Sequence, residues 1–114
     1  MQYMMLIYGD ESRLNLEPGT AISPKIQAYV DALRKAGVMV GGERLQPTRR
    51  SKRLSRREGK MKIVDGPYAD TREQLGGYFL LDVADEKEAL AWAEKCPAVD
   101  YSTIELRPLV PNVG

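Results

Sequence analysis

Apolar residues recur along the chain in four stretches that predict β-strands. In residues 2–8 and 77–83 they occupy both alternating sets of positions, which is typical of strands covered on both faces. Residues 38–45 form a third stretch with two adjacent glycines, which indicate a bulge or a close backbone approach. Residues 102–109 alternate apolar with charged side chains, so this fourth strand has one polar face.

Two amphipathic helices are predicted between these strands. The first follows Ser23, a good N-cap residue, carries apolar residues at helical spacing and ends at Gly37. The second follows Asp85, with Glu88 three residues further on in a capping-box arrangement, and ends before Pro97. Both helices therefore have sequence signals at each end.

Two remaining segments lack this simple periodicity. Residues 9–23 are polar, contain a Pro-Gly turn signal and are long for a connection, so we predict a loop or a lid. Residues 48–62 carry eight basic side chains and one acid, a net charge of +7 that leaves −6 for the remainder. An acid-glycine pair divides this basic segment into two short strands, residues 51–57 and 60–65, which we interpret as a β-hairpin.

The order strand, helix, strand, hairpin, strand, helix, strand predicts an α+β fold, a ferredoxin-like split βαβ sandwich with an additional β-hairpin. The two strands that are apolar on both faces lie at the centre of its antiparallel sheet. Two helices cover only one face, so the other requires a second copy of the sheet in a homodimer or an apolar ligand cavity. We expect residues 1–114 to form a single domain with a loose tail from residue 111.

The composition excludes several classes of function. The chain has 114 residues, 17 Lys and Arg, 16 Asp and Glu, one cysteine and no histidine. Without histidine there is no Ser-His-Asp or Cys-His catalysis and no His-based metal site. Cys96 alone forms neither an internal disulfide nor a multi-thiolate site. We therefore predict no metal and no cofactor.

The location of the protein is also predicted from the sequence. No apolar run reaches the roughly 18 residues of a membrane span, and the first residues show no signal-peptide pattern. We expect a cytoplasmic protein without membrane contact.

The stretch VDGPYADTREQLGGYFLLDV, residues 64–83, closely resembles the signature of the DGPF-type proteins of the YCII-related family. The segments AGVMVGGERLQP, ALAWAEKCP and IELRPL are similar to other parts of that family, so the resemblance covers residues 2–109. It implies a ferredoxin-like fold that forms a dimeric α/β barrel. Because some members lie beside, or are fused to, sigma factors of the extracytoplasmic kind, it also implies a regulatory or ligand-sensing role. Related proteins have a proposed catalytic His and Asp pair; this chain has Asp65 but no histidine, and Tyr68 replaces the usual phenylalanine.

Three candidate site residues lie in or near this signature, and a fourth lies on the first strand. Asp65 is either an acid/base or ligand anchor in a pocket covered by Tyr68, or an acceptor for the backbone N–H groups of its own turn. We favour the turn. Glu73 is a candidate for the same pocket, and Tyr8 for a cavity beside the sheet.

Four charged residues on predicted strands are further candidates: Glu43, Arg44, Glu105 and Arg107. In a dimer cavity an arginine among them binds a carboxylate or phosphate through two N–H groups. The alternative, which we favour, is cross-strand ion pairing of Glu with Arg.

Three functions remain open. The first is a non-catalytic, dimeric module that binds a small anionic or aromatic molecule or has a regulatory link to a sigma factor. The second is an enzyme with Asp65 as acid/base and Arg44 or Arg107 stabilising an oxyanion. The third is nucleic-acid binding through residues 49–62, although this hairpin lacks aromatic residues for base stacking, which favours a solvated edge.

Overall fold

The structure, a computed structural model, describes residues 1–111. Of the tail predicted to be loose, residues 112–114 lie outside the described residues. In chain order the elements are β1 (Gln2–Gly9), α1 (Glu11–Leu14), α2 (Pro24–Lys35), β2 (Met39–Arg44), a 3-10 helix (Thr48–Arg50), β3 (Lys52–Arg57), β4 (Lys60–Asp65), β5 (Gln74–Asp82), α3 (Glu86–Glu94), a 3-10 helix (Pro97–Asp100) and β6 (Thr103–Pro108).

The main sheet has four strands in the order β2-β5-β1-β6, and every neighbouring pair is antiparallel. Its two connections through α2 and α3 join strands that are not neighbours, as in the ferredoxin-like split βαβ topology. The central strands are β1 and β5, the two segments that are apolar on both faces. The fold class predicted from the sequence is therefore confirmed.

The core lies between one face of this sheet and helices α2 and α3. From the sheet come Met5 and Leu81, and from the helices Leu33 and Ala89, all of which are inaccessible to solvent. Tyr29 of α2 packs edge-on against Phe79 and Trp92, and its hydroxyl donates to the Trp92 carbonyl at 2.7 Å. Hydrophobic burial at these positions is the main source of stability.

Both long helices begin as predicted. The Ser23 hydroxyl accepts from the Ile26 amide at 3.3 Å, and the Asp85 carboxylate accepts from the Glu88 amide at 2.9 Å. The Glu88 carboxylate reaches back to the Ala84 amide at 2.9 Å, one residue before the cap. The first two bonds satisfy amides that the helices leave without an internal acceptor, and the third fixes the residue before the cap of α3.

The prediction of a simple loop or lid at residues 9–23, and hence of only two helices, needs correction. The segment begins with α1, whose N-cap Asp10 accepts from the Ser12 amide at 3.0 Å. Asn15 ends the helix with φ at 54°. A four-residue helix is too short to show apolar periodicity, so the sequence pattern did not reveal it.

The predicted irregularity in β2 is confirmed by a register shift against β5 between Met39 and Gly41. Directly after it, a Cβ on Gly42 would lie 2.9 Å from both the Phe79 ring and the Tyr78 carbonyl. Glycine is therefore required at this position by close approach of the neighbouring strand.

The predicted hairpin is confirmed and forms a separate two-stranded sheet of β3 and β4. Its turn residues Glu58 and Gly59 both have positive φ, as a type I′ turn requires. The radius of gyration of the Cα atoms is 15.9 Å. A compact chain of this length has about 13 Å, and the projecting hairpin accounts for the excess.

The second face of the main sheet carries apolar residues that neither long helix covers. The β1–β5 register places Met4 beside Leu80 and Leu6 beside Tyr78, all half-buried and outside the core cluster. We call this surface the open face.

Candidate functional site

A cleft of about 730 Å³ lies between the base of the hairpin and the main sheet. Its volume is within the range of about 300–1,000 Å³ that is typical of small-molecule sites. The 3-10 helix Thr48–Arg50, the start of β3, the segment after β4 and the ends of β1 and β5 form its walls. We call it the hairpin cleft. Its chemical character comes mainly from Tyr8, Arg50, Lys52, Arg53, Tyr68 and Glu73.

The segment that carries Tyr68 leaves β4 through a turn that requires glycine. Gly66 has φ of 99°, a conformation that residues with side chains rarely adopt. Its amide donates to the Ser51 carbonyl at 2.9 Å, which joins the end of β4 to the start of β3. Pro67 then fixes the next φ angle, and the exposed Tyr68 ring stands at the rim of the cleft.

Arg53 gives the hairpin cleft its most distinctive feature. Its Nη1 donates to the Tyr68 carbonyl at 3.3 Å, and its Cζ lies 5.9 Å from the Tyr68 ring centroid, a cation–π distance. Its Nε is buried and has no acceptor among the described residues. A guanidinium has five N–H donors, and leaving a buried donor unsatisfied costs about 1–3 kcal/mol. The Nε is closed to solvent, so the donors that Arg53 retains for an anion are the Nη N–H groups not bonded to Tyr68.

Tyr8 supplies a neutral aromatic wall. Its hydroxyl donates to the Glu105 carboxylate at 3.3 Å. Partial burial, together with the negative charge of Glu105, raises the pKa of the Tyr8 phenol. Tyr8 is therefore protonated at neutral pH and is a hydrogen-bond donor rather than a base.

Glu73 is fixed beside the cleft by two threonines. Its carboxylate oxygens accept from the Thr103 hydroxyl at 3.0 and 3.3 Å, and its carbonyl accepts from the Thr71 hydroxyl at 2.6 Å. Of the sequence candidates, the structure thus brings Tyr8, Tyr68 and Glu73 together in one cleft.

Asp65 does not bind its own turn, which corrects the arrangement we favoured. Its carboxylate accepts from Lys52, the residue directly opposite it in the hairpin, and the turn amide of Gly66 goes instead to the Ser51 carbonyl. The Lys52 hydrogen bond and positive charge lower the pKa of Asp65 below its ordinary value. The side chain is exposed and is not part of the cleft wall.

The predicted Glu–Arg ion pairs across strands are absent from the described residues, because β2 and β6 lie at opposite edges of the sheet. Register places Glu43 opposite Tyr78, Glu105 opposite Leu6 and Arg107 opposite Met4. These three positions therefore share the open face.

Arg44 lies on the helix side instead, near a second cavity of about 440 Å³ between α2, the α1–α2 segment and the sheet. Its guanidinium donates to the Thr20 carbonyl at 2.7 Å and the Asn15 carbonyl at 3.3 Å. Arg44 therefore holds the α1–α2 segment in place through two N–H donors, one on each Nη atom.

Within residues 1–111, no group of three or more Cys, Asp or Glu side chains is arranged to hold a metal ion. Cys96 is buried, and burial raises the pKa of its thiol. No helix in the same residues has the length and apolar character to cross a membrane.

Sequence reasoning missed Arg50, Lys52 and Arg53 as cleft residues, because it treated the basic segment as one solvated surface. Successive side chains of a strand point to opposite faces, so Arg53 and Leu54 lie on opposite faces of the hairpin. The sequence contained this signal. Which face meets the main sheet depends on the path of the segment from Gly66 to Gln74, which carries no periodicity.

The four-stranded split βαβ sheet, with two long helices on one face and an inserted hairpin, defines a ferredoxin-like α+β protein. Within this class the chain belongs to the YCII-related family, since the model of the YCII-related domain matches residues 1–112. It is also similar to the uncharacterized protein R00369 of Rhizobium meliloti (strain 1021). The two are 34% identical over 114 residues, which cover 96% of this chain and 92% of the relative.

Proposed function

We propose that the chain is a non-catalytic, dimeric module that binds a small anionic, aromatic molecule in the hairpin cleft. The observation that carries this proposal is Arg53, whose guanidinium lies beside the Tyr68 ring and donates only one Nη N–H, to the Tyr68 carbonyl, among the described residues. The role of the module is ligand sensing, and the regulatory link to a sigma factor that the resemblance implies stays a prediction.

The charge and shape of the cleft favour a flat anion. Arg50 and Arg53 contribute positive charge to its lining, while the Lys52 ammonium bonds Asp65 outside the cleft. Glu73 is the one acidic lining residue among residues 1–111, and it accepts from Thr103. Hydrogen bonds from a guanidinium to a carboxylate are stronger than neutral ones. Tyr8 and Tyr68 contribute aromatic surface to the lining. An aromatic carboxylate matches both features.

The open face supports the dimer. Its Met4, Leu6 and Leu80 side chains need a cover that the helices do not provide. Glu43 lies on one edge strand and Arg107 on the other. A two-fold axis parallel to the strands exchanges the edges, so that β2 of one copy faces β6 of the second. A second copy thus covers the apolar side chains of the open face with its own.

Catalysis by Asp65 is not part of the proposal. An acid/base that operates near neutral pH needs a pKa near that pH, whereas Lys52 lowers the pKa of this exposed carboxyl. Nucleic-acid binding is also left out, because residues 48–65 contain no aromatic side chain for base stacking.

A thermal-shift experiment with benzoate, benzyl alcohol and acetate tests the ligand. We expect benzoate to raise the melting temperature most, since it alone has both the ring and the carboxylate; a hundredfold excess over Kd adds about 2.7 kcal/mol of stability. A panel of small carboxylates, phosphates and aromatics without effect would contradict the proposal.

Two matched variants locate the site. Arg53→Gln is expected to weaken benzoate binding about tenfold or more, because a charge-assisted hydrogen bond is lost. Arg57→Gln makes the same change on the same strand outside the cleft and is the control. Equal losses in both variants would show that benzoate responds to general charge rather than to the cleft.

Light scattering tests the dimer. The protein is expected to be dimeric at micromolar concentration, and Leu80→Arg on the open face is expected to make it monomeric. Ala28→Arg on the exposed side of α2 introduces the same charge away from the open face as a control. A wild-type chain that is monomeric at micromolar concentration would contradict the proposed dimer.

A further inference from the structure

One face of the hairpin is apolar and exposed. Leu54 and Ile63 are direct cross-strand neighbours, and Met61 follows on the same face opposite Arg56. The exposed fractions of these side chains are 63% for Leu54, 60% for Ile63 and 49% for Met61. Three adjacent exposed apolar side chains form a patch rather than scattered surface residues, and such patches mark interaction sites.

Nothing in the described chain covers this patch. The hairpin is a separate two-stranded sheet that is held at its base. There Arg53 donates to the Tyr68 carbonyl, and the 3-10 helix before β3 is bonded to Glu11 and Glu17. An isolated two-stranded hairpin is at best marginally stable in water. The hairpin therefore needs a partner surface.

The charge distribution favours a second copy as that partner. Residues 48–62 carry +7, and the remainder of the chain carries −6. Residues 82–100 contain six acidic and two basic side chains, a net charge of −4. Val99 is 46% exposed within this acidic segment. A basic, apolar surface and an acidic, partly apolar surface on one chain complement each other in a symmetric pair.

Geometry favours the same pairing. The hairpin leaves the sheet where β2 ends and β5 begins, at one edge. The two-fold axis parallel to the strands places this edge beside β6 of the second copy. Rotation about this axis leaves the same end of the sheet at the same end of the dimer. Since β6 is antiparallel to β1, its first residues lie at that end, directly after the 3-10 helix Pro97–Asp100. Glu94 at the end of α3 precedes this helix.

We propose that each hairpin docks its Leu54, Met61 and Ile63 face on the second copy, against the surface around Val99, Asp100 and Glu94. This inference rests on the dimer of the proposed function. The hairpin also carries Lys52 and Arg53 of the hairpin cleft, so docking fixes one wall of the ligand site. Ligand binding and hairpin docking then strengthen each other, because coupling between two sites is reciprocal.

Hydrogen exchange at two protein concentrations tests the docking. Amides of residues 52–65 are expected to exchange quickly in the dilute monomer and at least about tenfold more slowly in the dimer. Benzoate at saturating concentration is expected to slow them further. Ile63→Asn is expected to weaken dimerisation at least about tenfold, because an apolar side chain is buried once per copy. Ser55→Asn on the opposite hairpin face is the control, with the dimerisation constant of the wild type.

A charge reversal on the hairpin, followed by a compensating reversal on the proposed docking surface, tests that surface. Arg56→Glu is expected to weaken the dimer, and the added change Asp100→Arg is expected to restore it in part. Both positions are exposed, so these variants keep the fold. Failure of the second change to compensate, with normal folding, would rule out this surface.

The outcomes separate the two proposals. A stable dimer with concentration-independent exchange in residues 52–65 overturns the docking and leaves the open-face dimer and the benzoate site intact. A monomer at all concentrations overturns the docking together with the dimer, and the benzoate result alone then decides the ligand site. Protection of residues 52–65 only by added duplex DNA or anionic vesicles identifies another occupant and also overturns the docking.

Discussion

The main sheet with α2 and α3, which we call the body, differs from the hairpin in how each satisfies its apolar side chains. The buried apolar residues of the described chain come from the body and the segments that join its elements, and none comes from residues 48–72. The hairpin exposes Leu54, Met61 and Ile63 instead. Contacts within the chain thus account for the burial of apolar side chains in the body. They leave the apolar side chains of the hairpin exposed.

This difference separates stability from association. Residues of the body contribute to folding, because their apolar surface leaves water when the chain folds. Residues on the exposed face of the hairpin contribute only when a second surface covers them. Substitutions of the same chemical type should therefore have different effects in the two regions.

The largest expected difference concerns a buried and an exposed leucine. Leu33→Ala removes a fully buried side chain from the centre of the core and is expected to lower the free energy of unfolding by about 2–5 kcal/mol. Leu54→Ala on the hairpin is expected to change it by at most about 0.5 kcal/mol. Urea unfolding below the concentration at which the chain dimerises measures both. Similar losses would show that the hairpin packs within its own chain.

A pair of neighbouring glycines gives a smaller effect within the body. Gly42→Ala is expected to destabilise by about 1–3 kcal/mol, because the added methyl group meets Phe79 and the Tyr78 carbonyl at 2.9 Å. Gly41→Ala has no atom within 4 Å of the added group and is expected to remain within about 1 kcal/mol of the wild type. Urea unfolding compares the two, and an equal cost would contradict the close strand contact.

Gly59 in the hairpin turn is expected to act through the backbone rather than through packing. Its φ is 76°, and no atom lies within 4 Å of an added Cβ. Gly59→Ala is therefore expected to cost about 1–2 kcal/mol, while Gly59→Asn costs less, because asparagine tolerates this conformation. Since the hairpin adds little to folding, the loss should appear as faster amide exchange in β3 and β4 with unchanged unfolding of the body. An equal loss of stability in the body would show that the hairpin and the body unfold together.

The same contrast explains which features the sequence predicted. Caps, apolar alternation and helical spacing are local signals, and they correctly located both long helices, all four strands of the main sheet and the hairpin. Residues 9–23 were harder, because α1 has one turn and its support comes from Asp10 at its start and from Leu14 and Leu16 packing against the distant Gly76.

The candidate site was predicted only in part, since it is assembled from distant segments. Tyr8, Tyr68 and Glu73 meet because the chain after Gly66 returns to the end of β1, a path that no local pattern indicates. The expected cross-strand pairing of Glu with Arg, among Glu43, Arg44, Glu105 and Arg107, is absent from the described residues for a similar reason. Pairing across strands depends on strand order, and β2 and β6 lie at opposite edges.

The smallest expected effect compares two exposed carboxylates. The pKa of Asp10 in the body is lowered first by the Ser12 hydroxyl and then by the Ser12 amide, whereas that of Asp65 in the hairpin is lowered by the hydrogen bond and charge of Lys52. In both cases the folded pKa is below the unfolded value. Each carboxylate therefore stabilises the fold above the unfolded pKa and loses this contribution as pH falls through the folded pKa.

The two differ in their response to salt, which NMR titration of the side-chain carboxyl groups measures. An exposed ion pair is screened at about 1 M salt, so the pKa of Asp65 should rise toward its ordinary value, while that of Asp10 should move less because its donors are neutral. Lys52→Gln should raise the pKa of Asp65 in the same direction without added salt. An Asp65 titration that responded to neither change would show that Lys52 does not lower the pKa of this carboxyl.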